Sequence, residues 1–186
     1  IGVYNFNLEE KLYKNLNVNI EKESRERIFV LPEIKDLSEV YFLELGIKKD
    51  ENLKSRQLYW LATNKDVFTG EDLWYHSPLK THADMSLIRK MPRTHIDVIS
   101  KVKKIDSNYH TDVTIKNSGN YLAFFIWLKL YNKNTNEIIA PVFWSDNCIS
   151  LFPGELVNIK GVIPENVIPE GFTDGNIVVK AEGWNC

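Results

Sequence analysis

From Tyr121 to Glu155 the chain alternates, turns and alternates again in the manner of a β-sandwich. Leu122, Phe124, Ile126, Leu128 and Leu130 recur at every second position, which predicts a strand with one apolar face. The turn-forming cluster from Asn132 to Asn136 then sends the chain back through Ile138, Ile139 and Val142. The opposite face of the first strand carries Ala123, Phe125 and Trp127 before it becomes polar-tipped at Lys129 and Tyr131. A sheet with one face in water alternates apolar with polar residues, so a strand apolar on both sides predicts a second cover. Phe125 and Trp127 are therefore candidates for a domain-packing face.

The same pattern organises the rest of the chain into two strand-rich blocks and a connector. Residues 2–6, 16–20, 25–31, 40–48 and 55–62 are strand candidates in the first block. Tyr41, Leu43, Leu45 and Ile47 share one face of the best of them. The charged turn from Lys48 through Glu51 to Asn52 leads into a return strand with Leu58, Tyr59 and Trp60, which predicts a hairpin. From Asn64 to Arg93 the alternation dissolves among Gly70, Pro78 and Pro92, with aromatic anchors at Phe68, Trp74 and Tyr75. A short helix is expected over 83–90, stopped by Pro92. In the last block Ile96 and Val98, Val113 and Ile115, Val157 and Ile159, and Ile177 and Val179 alternate with polar residues. Turn signals fall at Asn117–Ser118–Gly119, Pro153–Gly154 and Asp174–Gly175.

These elements predict an all-β chain of two immunoglobulin-like β-sandwich domains in tandem: 1–64, then an aromatic-rich linker over 65–93, then 94–186. Five strands in the first block fall short of the usual seven or so, so this domain is expected to lack strands at its N-terminal end and to expose an unpaired edge. A small five-stranded sandwich, complete as it stands, is the alternative.

Composition narrows the partners. The 186 residues are 44% hydrophobic and 12% aromatic, the profile of folded domains. Net charge is −2 from 23 basic and 25 acidic side chains spread along the chain, so no basic stripe exists to neutralise a nucleic-acid backbone. The longest apolar run, Tyr121 to Leu128, is far below the roughly 20 residues that cross a bilayer, so no membrane partner is expected. Cys148 and Cys186 are the two cysteines. One lies in a strand and the other at the terminus, and a core of this size needs no bridge between them.

Candidate chemistry is sparse. Hydrolysis of a glycosidic bond needs two carboxylates held about 5–10 Å apart in a cleft. Glu137 sits at a hairpin turn, Glu155 follows Pro-Gly, and Glu44 and Glu182 occupy outward strand positions, so no catalytic residue is assigned. His76, His82, His95 and His110 lack metal-site spacing, and Asp84 beside His82 suits a capping role. No phosphate loop or nucleophile elbow is present, so neither metal nor cofactor is expected. One segment suggests binding. Trp144 beside Ser145, Asp146 and Asn147 joins a ring that can stack on a sugar to groups that can read hydroxyls. A strand-end bulge closed by Asp146 and Asn147 on their own backbone is the plainer alternative.

The runs AFFIWLKLYN, PVFWSDNCISLFPGE and IVVKAEGWN resemble the C-terminal domain of glycoside hydrolase family 2 enzymes of the exo-β-D-glucosaminidase and β-mannosidase type. LPEIKDLSEVYFLELGIKKDENLKSRQLYWLAT resembles the immunoglobulin-like domain that follows the catalytic barrel of those enzymes. DLWYHSP and ADMSLIRKMP resemble the join between the two. The resemblance covers essentially the whole chain, with Trp144–Asn147, Pro153–Glu155 and Gly183–Asn185 as its more specific motifs.

The resemblance implies that both catalytic glutamates belong to a (β/α)8 barrel, which needs about 250 residues that this chain has no room for. An Asn-Glu pair marks the family's acid/base position, but Asn136–Glu137 matches it only as a dipeptide in a hairpin turn, and the role is not carried over. The implied function is that of non-catalytic accessory domains, with the barrel of the parent enzyme as partner and a periplasmic or secreted location by family habit. An independent carbohydrate-binding module, with Trp144, Asp146 and Asn147 on a glycan, is the alternative. A protein-adhesion sandwich is a third possibility, since such folds host many functions.

Overall fold

The computed structural model describes residues 1–50, 52–71, 73–168 and 173–186. The chain is built of strands and short 3-10 turns, and forms two compact units, Ile1–Met91 and Pro92–Cys186.

The first unit holds a four-stranded antiparallel sheet. Its strands are β1 (Gly2–Asn5), β2 (Glu10–Tyr13), β3 (Val40–Lys49) and β4 (Asn52–Ala62), in the order β2-β1-β3-β4. The predicted hairpin is β3–β4, with Val40 opposite Ala62 at its base; Glu51 of its turn lies outside the described residues. Alternation along β3 buries Val40 and Phe42, and Phe6 stacks on Phe42 with ring centroids 6.3 Å apart. A two-stranded ribbon follows, of β5 (Val67–Phe68) and β6 (Leu79–Thr81). The expected helix is a 3-10 turn over Ser86–Lys90, opened by Asp84 Oδ1 accepting from the Ser86 N–H at 2.8 Å. Asp72 of the DLWYHSP stretch lies outside the described residues.

Two strand expectations fail here. Residues 16–20 and 25–31 form no strand, and β2 at EKLY stands where none was expected. Alternation marks a chain that can present one face, but a strand also needs a neighbour to accept its ladder. Lys14 N–H donates to Ile1 O at 2.8 Å, which fixes the start of this stretch. Its end is fixed by Asn5, whose Oδ1 accepts from the Ser38 N–H at 2.8 Å and whose Nδ2 donates to Asp36 O at 3.3 Å.

The second unit is a sandwich of two sheets. Strands β7 (Ile96–Ile105), β8 (Asn108–Asn117), β10 (Phe143–Trp144) and β12 (Leu156–Pro164) form one, in the order β10-β12-β8-β7. Strands β9 (Ala123–Asn132), β11 (Ile149–Leu151) and β13 (Ile177–Glu182) form the other, in the order β11-β9-β13. Val113, Ile115, Ile126, Leu128, Leu130, Ile159, Ile163 and Val179 fill the space between them, as the alternating pattern requires.

The strand with which the pattern began is less regular than its spacing suggests. Phe125 has φ of 53°, and the register against β11 slips between Ile149 and Leu151, so Ile149 faces Ile126 while Leu151 faces Ala123. This bulge resets the phase. Ala123 and Ile126, one odd and one even, both enter the core, and Phe125 turns outward. The return through Ile138 is a single bridge to Tyr131, because Phe143–Trp144 pairs with β12 in the other sheet.

Candidate functional site

Buried asparagines close the second unit at its corners. Asn185 donates from Nδ2 to Pro92 O and Leu122 O, each at 2.8 Å, and accepts from the Phe124 N–H at 2.9 Å. Asn117 donates to Tyr121 O at 2.7 Å and Leu151 O at 2.8 Å, and accepts from the Gly119 N–H at 3.1 Å. Each satisfies backbone groups that strand ladders leave over where the chain changes sheets. Glu155 acts in a similar way, since its Oε2 accepts from the Phe152 N–H at 2.7 Å across the turn that Gly154 makes at φ 81°. The motifs at 153–155 and 183–185 thus hold backbone in place.

The structure gives the three predicted sugar-contacting residues local partners. Trp144 is half-buried with its ring over Gly161, where an added Cβ would lie 2.8 Å from Cε3. Asp146 is exposed and accepts from the Asn147 N–H at 2.8 Å. Asn147 is stitched to β9: its Oδ1 accepts from the Leu128 N–H at 2.8 Å and its Nδ2 donates to Leu128 O at 3.2 Å.

The predicted packing residues share the outer face of the β11-β9-β13 sheet with one that the spacing argument passed over. Phe125, Trp127 and Trp184 are 39%, 49% and 56% exposed. Trp127 pairs with Glu182 across β9 and β13, and the Trp184 N–H continues the pairing to Phe124 O at 2.8 Å. Val178, Lys180, Glu182 and Trp184 alternate as clearly as Phe125, Trp127, Lys129 and Tyr131, so the signal for Trp184 was present in the sequence.

Farther along this face, cations cover rings. The Lys129 ammonium lies 4.3 Å from the Trp127 ring centroid and bonds Glu182 Oε2 at 2.7 Å. Lys180 sits 4.2 Å from the Tyr131 centroid. The hydrogen bond to Lys129 holds the Glu182 carboxyl below its ordinary range and raises Lys129. The face is thus an aromatic patch ending in a fixed row of charge, suited to a partner that is apolar at one end and polar at the other.

Among the described residues no group of three His, Cys, Asp or Glu side chains is gathered to hold a metal, and no helix is long and apolar enough to cross a membrane. Cys148 is exposed and Cys186 half-buried, both as free thiols, and burial raises the pKa of Cys186. In the first unit, Glu44 accepts from the Tyr4 hydroxyl at 3.3 Å and lies 3.7 Å from Arg56. Burial first, and then Glu44, push Tyr4 up to about 12.

Residues 74–186 match the model of the exo-beta-D-glucosaminidase Ig-fold domain. The chain belongs to this family. The Ig-fold chain is 33% identical over 129 residues to an exo-beta-D-glucosaminidase of Arthroderma benhamiae, which covers 68% of this chain and 14% of that protein. It is 26% identical over 197 residues to a mannosylglycoprotein endo-beta-mannosidase of Lilium longiflorum, covering 82% of this chain and 20% of the other. The crystal structure of the Amycolatopsis orientalis exo-chitosanase CsxA superposes with a TM-score of 0.86 at 25% identity, covering 99% of this chain and 22% of that one. The Ig-fold chain thus spans between a seventh and a quarter of the length of these relatives. The all-β immunoglobulin-like fold and the kinship with family 2 glycosidases expected from the motifs are both present.

Proposed function

We propose that this Ig-fold chain serves as accessory domains that buttress the catalytic barrel of an exo-acting glycosidase of the β-glucosaminidase or β-mannosidase type and shape the lip of its pocket. The observation that carries the reading is the outer face of the β11-β9-β13 sheet, where the rings of Phe125, Trp127 and Trp184 are partly exposed beside a fixed Lys129–Glu182 pair. Rings left exposed beside a polar row suit a protein surface that covers them. The relatives, of which the chain spans only a fraction, are the natural source of that surface. Secretion or export to the periplasm, where glycan-degrading enzymes work, goes with this reading.

Titration of the 186-residue chain with glucosamine and mannose oligosaccharides, followed by tryptophan emission, tests it. The accessory role predicts no saturable response up to tens of millimolar sugar. A saturable response that Trp144→Ala removes would replace this reading with an independent carbohydrate-binding module.

A further inference from the structure

The aromatic anchors of the linker are largely exposed, Phe68 at 61%, Trp74 at 95% and Tyr75 at 63%. They belong to an ordered element. The β5–β6 ribbon continues through the Thr69 N–H, which donates to Pro78 O at 3.0 Å. At its far end the His76 N–H donates to Leu73 O at 3.2 Å and closes a turn with Trp74 and Tyr75 at its two central positions. At its base Asp66 Oδ1 accepts from the Ala83 N–H at 2.8 Å. The result is a finger with two rings at its tip. Their centroids are 5.3 Å apart with the ring planes at 75°, and the His76 ring lies 4.5 Å from that of Tyr75. Among the described residues neither the Trp74 indole N–H nor the Tyr75 hydroxyl has a hydrogen-bond partner.

We infer that Trp74 and Tyr75 form a sugar platform at the lip of the parent glycosidase's pocket, stacking on the glucosamine unit next to the one being cleaved off. The inference rests on the accessory-domain reading and names the side chains that shape the lip. An exo-acting pocket takes the terminal sugar inside, so a platform at its lip meets the sugar that follows. The ring geometry and the charge of the finger both favour this occupant. Two rings set nearly at right angles form a corner that fits the C–H face of a pyranose, with the indole N–H, the phenol and the imidazole free to read hydroxyls. Between Lys65 and Lys80 the sequence carries Asp66, Glu71 and Asp72 and no Lys or Arg, so the finger is acidic and complements a sugar that bears an ammonium group. The electron-rich faces of Trp and Tyr attract the same cation.

Steady-state kinetics of the complete enzyme on a glucosamine trimer and on methyl β-glucosaminide test the platform, since a methyl leaving group is too small to reach it. Trp74→Ala is expected to raise KM for the trimer about 10-fold with kcat kept, and to leave both constants for the methyl glycoside within about 2-fold. Trp74→Phe, which keeps a ring, should restore most of the trimer KM. An unchanged trimer KM in Trp74→Ala would overturn the inference. So would an equal loss on both substrates with a lower thermal midpoint of the complete enzyme, which would assign the finger to a protein contact. Because Trp74 is almost wholly exposed, Trp74→Ala should leave the midpoint of the 186-residue chain within about 2 °C. Without the pocket, the platform alone holds a sugar too weakly to register in the titration of that chain. Oxidative labelling of Trp127 and Trp184 in the complete enzyme separates the two claims: shielded rings with an unchanged trimer KM would sink the platform alone, and exposed rings would sink the accessory reading.

Discussion

Replacing Asn185 with leucine tests the idea that the family's motif at 183–185 holds backbone. The side chain is buried at 2% exposure and its size is nearly kept, so little cavity opens. Three bonds disappear, to Pro92 O, Leu122 O and from the Phe124 N–H. The Leu122 and Phe124 groups lie in the buried part of the network, where an orphaned donor or acceptor costs roughly 1–3 kcal/mol. The Pro92 carbonyl is partly wet and loses less. Together these give about 3–5 kcal/mol, a large share of the stability of a unit this size. That loss lowers the melting midpoint of the second unit by roughly 15–30 °C. Urea and thermal unfolding followed by tryptophan emission can measure it, because Trp127, Trp144 and Trp184 all report on this unit. Asn134→Ala, at an exposed position of the β9 turn, is the control and should stay within about 0.5 kcal/mol of the parent. A loss below about 1 kcal/mol for Asn185→Leu would refute the reasoning.

Three further outcomes follow from single contacts. The Thr111 hydroxyl is buried without a partner, so Thr111→Val should raise stability by about 0.5–1.5 kcal/mol in urea unfolding, and a loss would show that the hydroxyl is satisfied. A Cβ at Gly161 would meet Thr111 Cγ2 at 2.7 Å and Trp144 Cε3 at 2.8 Å, so Gly161→Ala should destabilise by about 1–3 kcal/mol, and an unchanged midpoint would show that the Trp144 ring moves freely. Tyr4 titrates near 12 in the fold against about 10 unfolded, so the unfolded chain loses its proton first; stability should fall as pH rises from about 10 to 12, and Tyr4→Phe should remove that part of the slope.

Strand alternation made most of the second unit legible, because sandwich cores are filled by every second residue and those positions are aliphatic from Val113 to Val179. The bulge at Phe125 was not legible, since a left-handed Phe carries no glycine to announce it. In the first unit the pattern misled in both directions. EKLY became β2 because β1 offered it an edge, whereas the better alternation of 16–20 found none. The exposed face was half visible: Phe125 and Trp127 stood out as apolar on a second side, but Trp184 became their neighbour only through the β9–β13 register. The bonding roles of Asn117 and Asn185 were invisible, because an asparagine on paper does not say which carbonyls it will meet, whereas local backbone bonding by Asp146 and Asn147 was among the readings of that segment.

The central claim is that the aromatic face of the second unit meets protein. Hydroxyl-radical footprinting of Trp127 and Trp184, read by mass spectrometry in the isolated chain and in the complete enzyme, tests it most directly. The account predicts strong oxidation of both rings in the isolated chain and near-background oxidation in the complete enzyme. Equal oxidation in the two would contradict it.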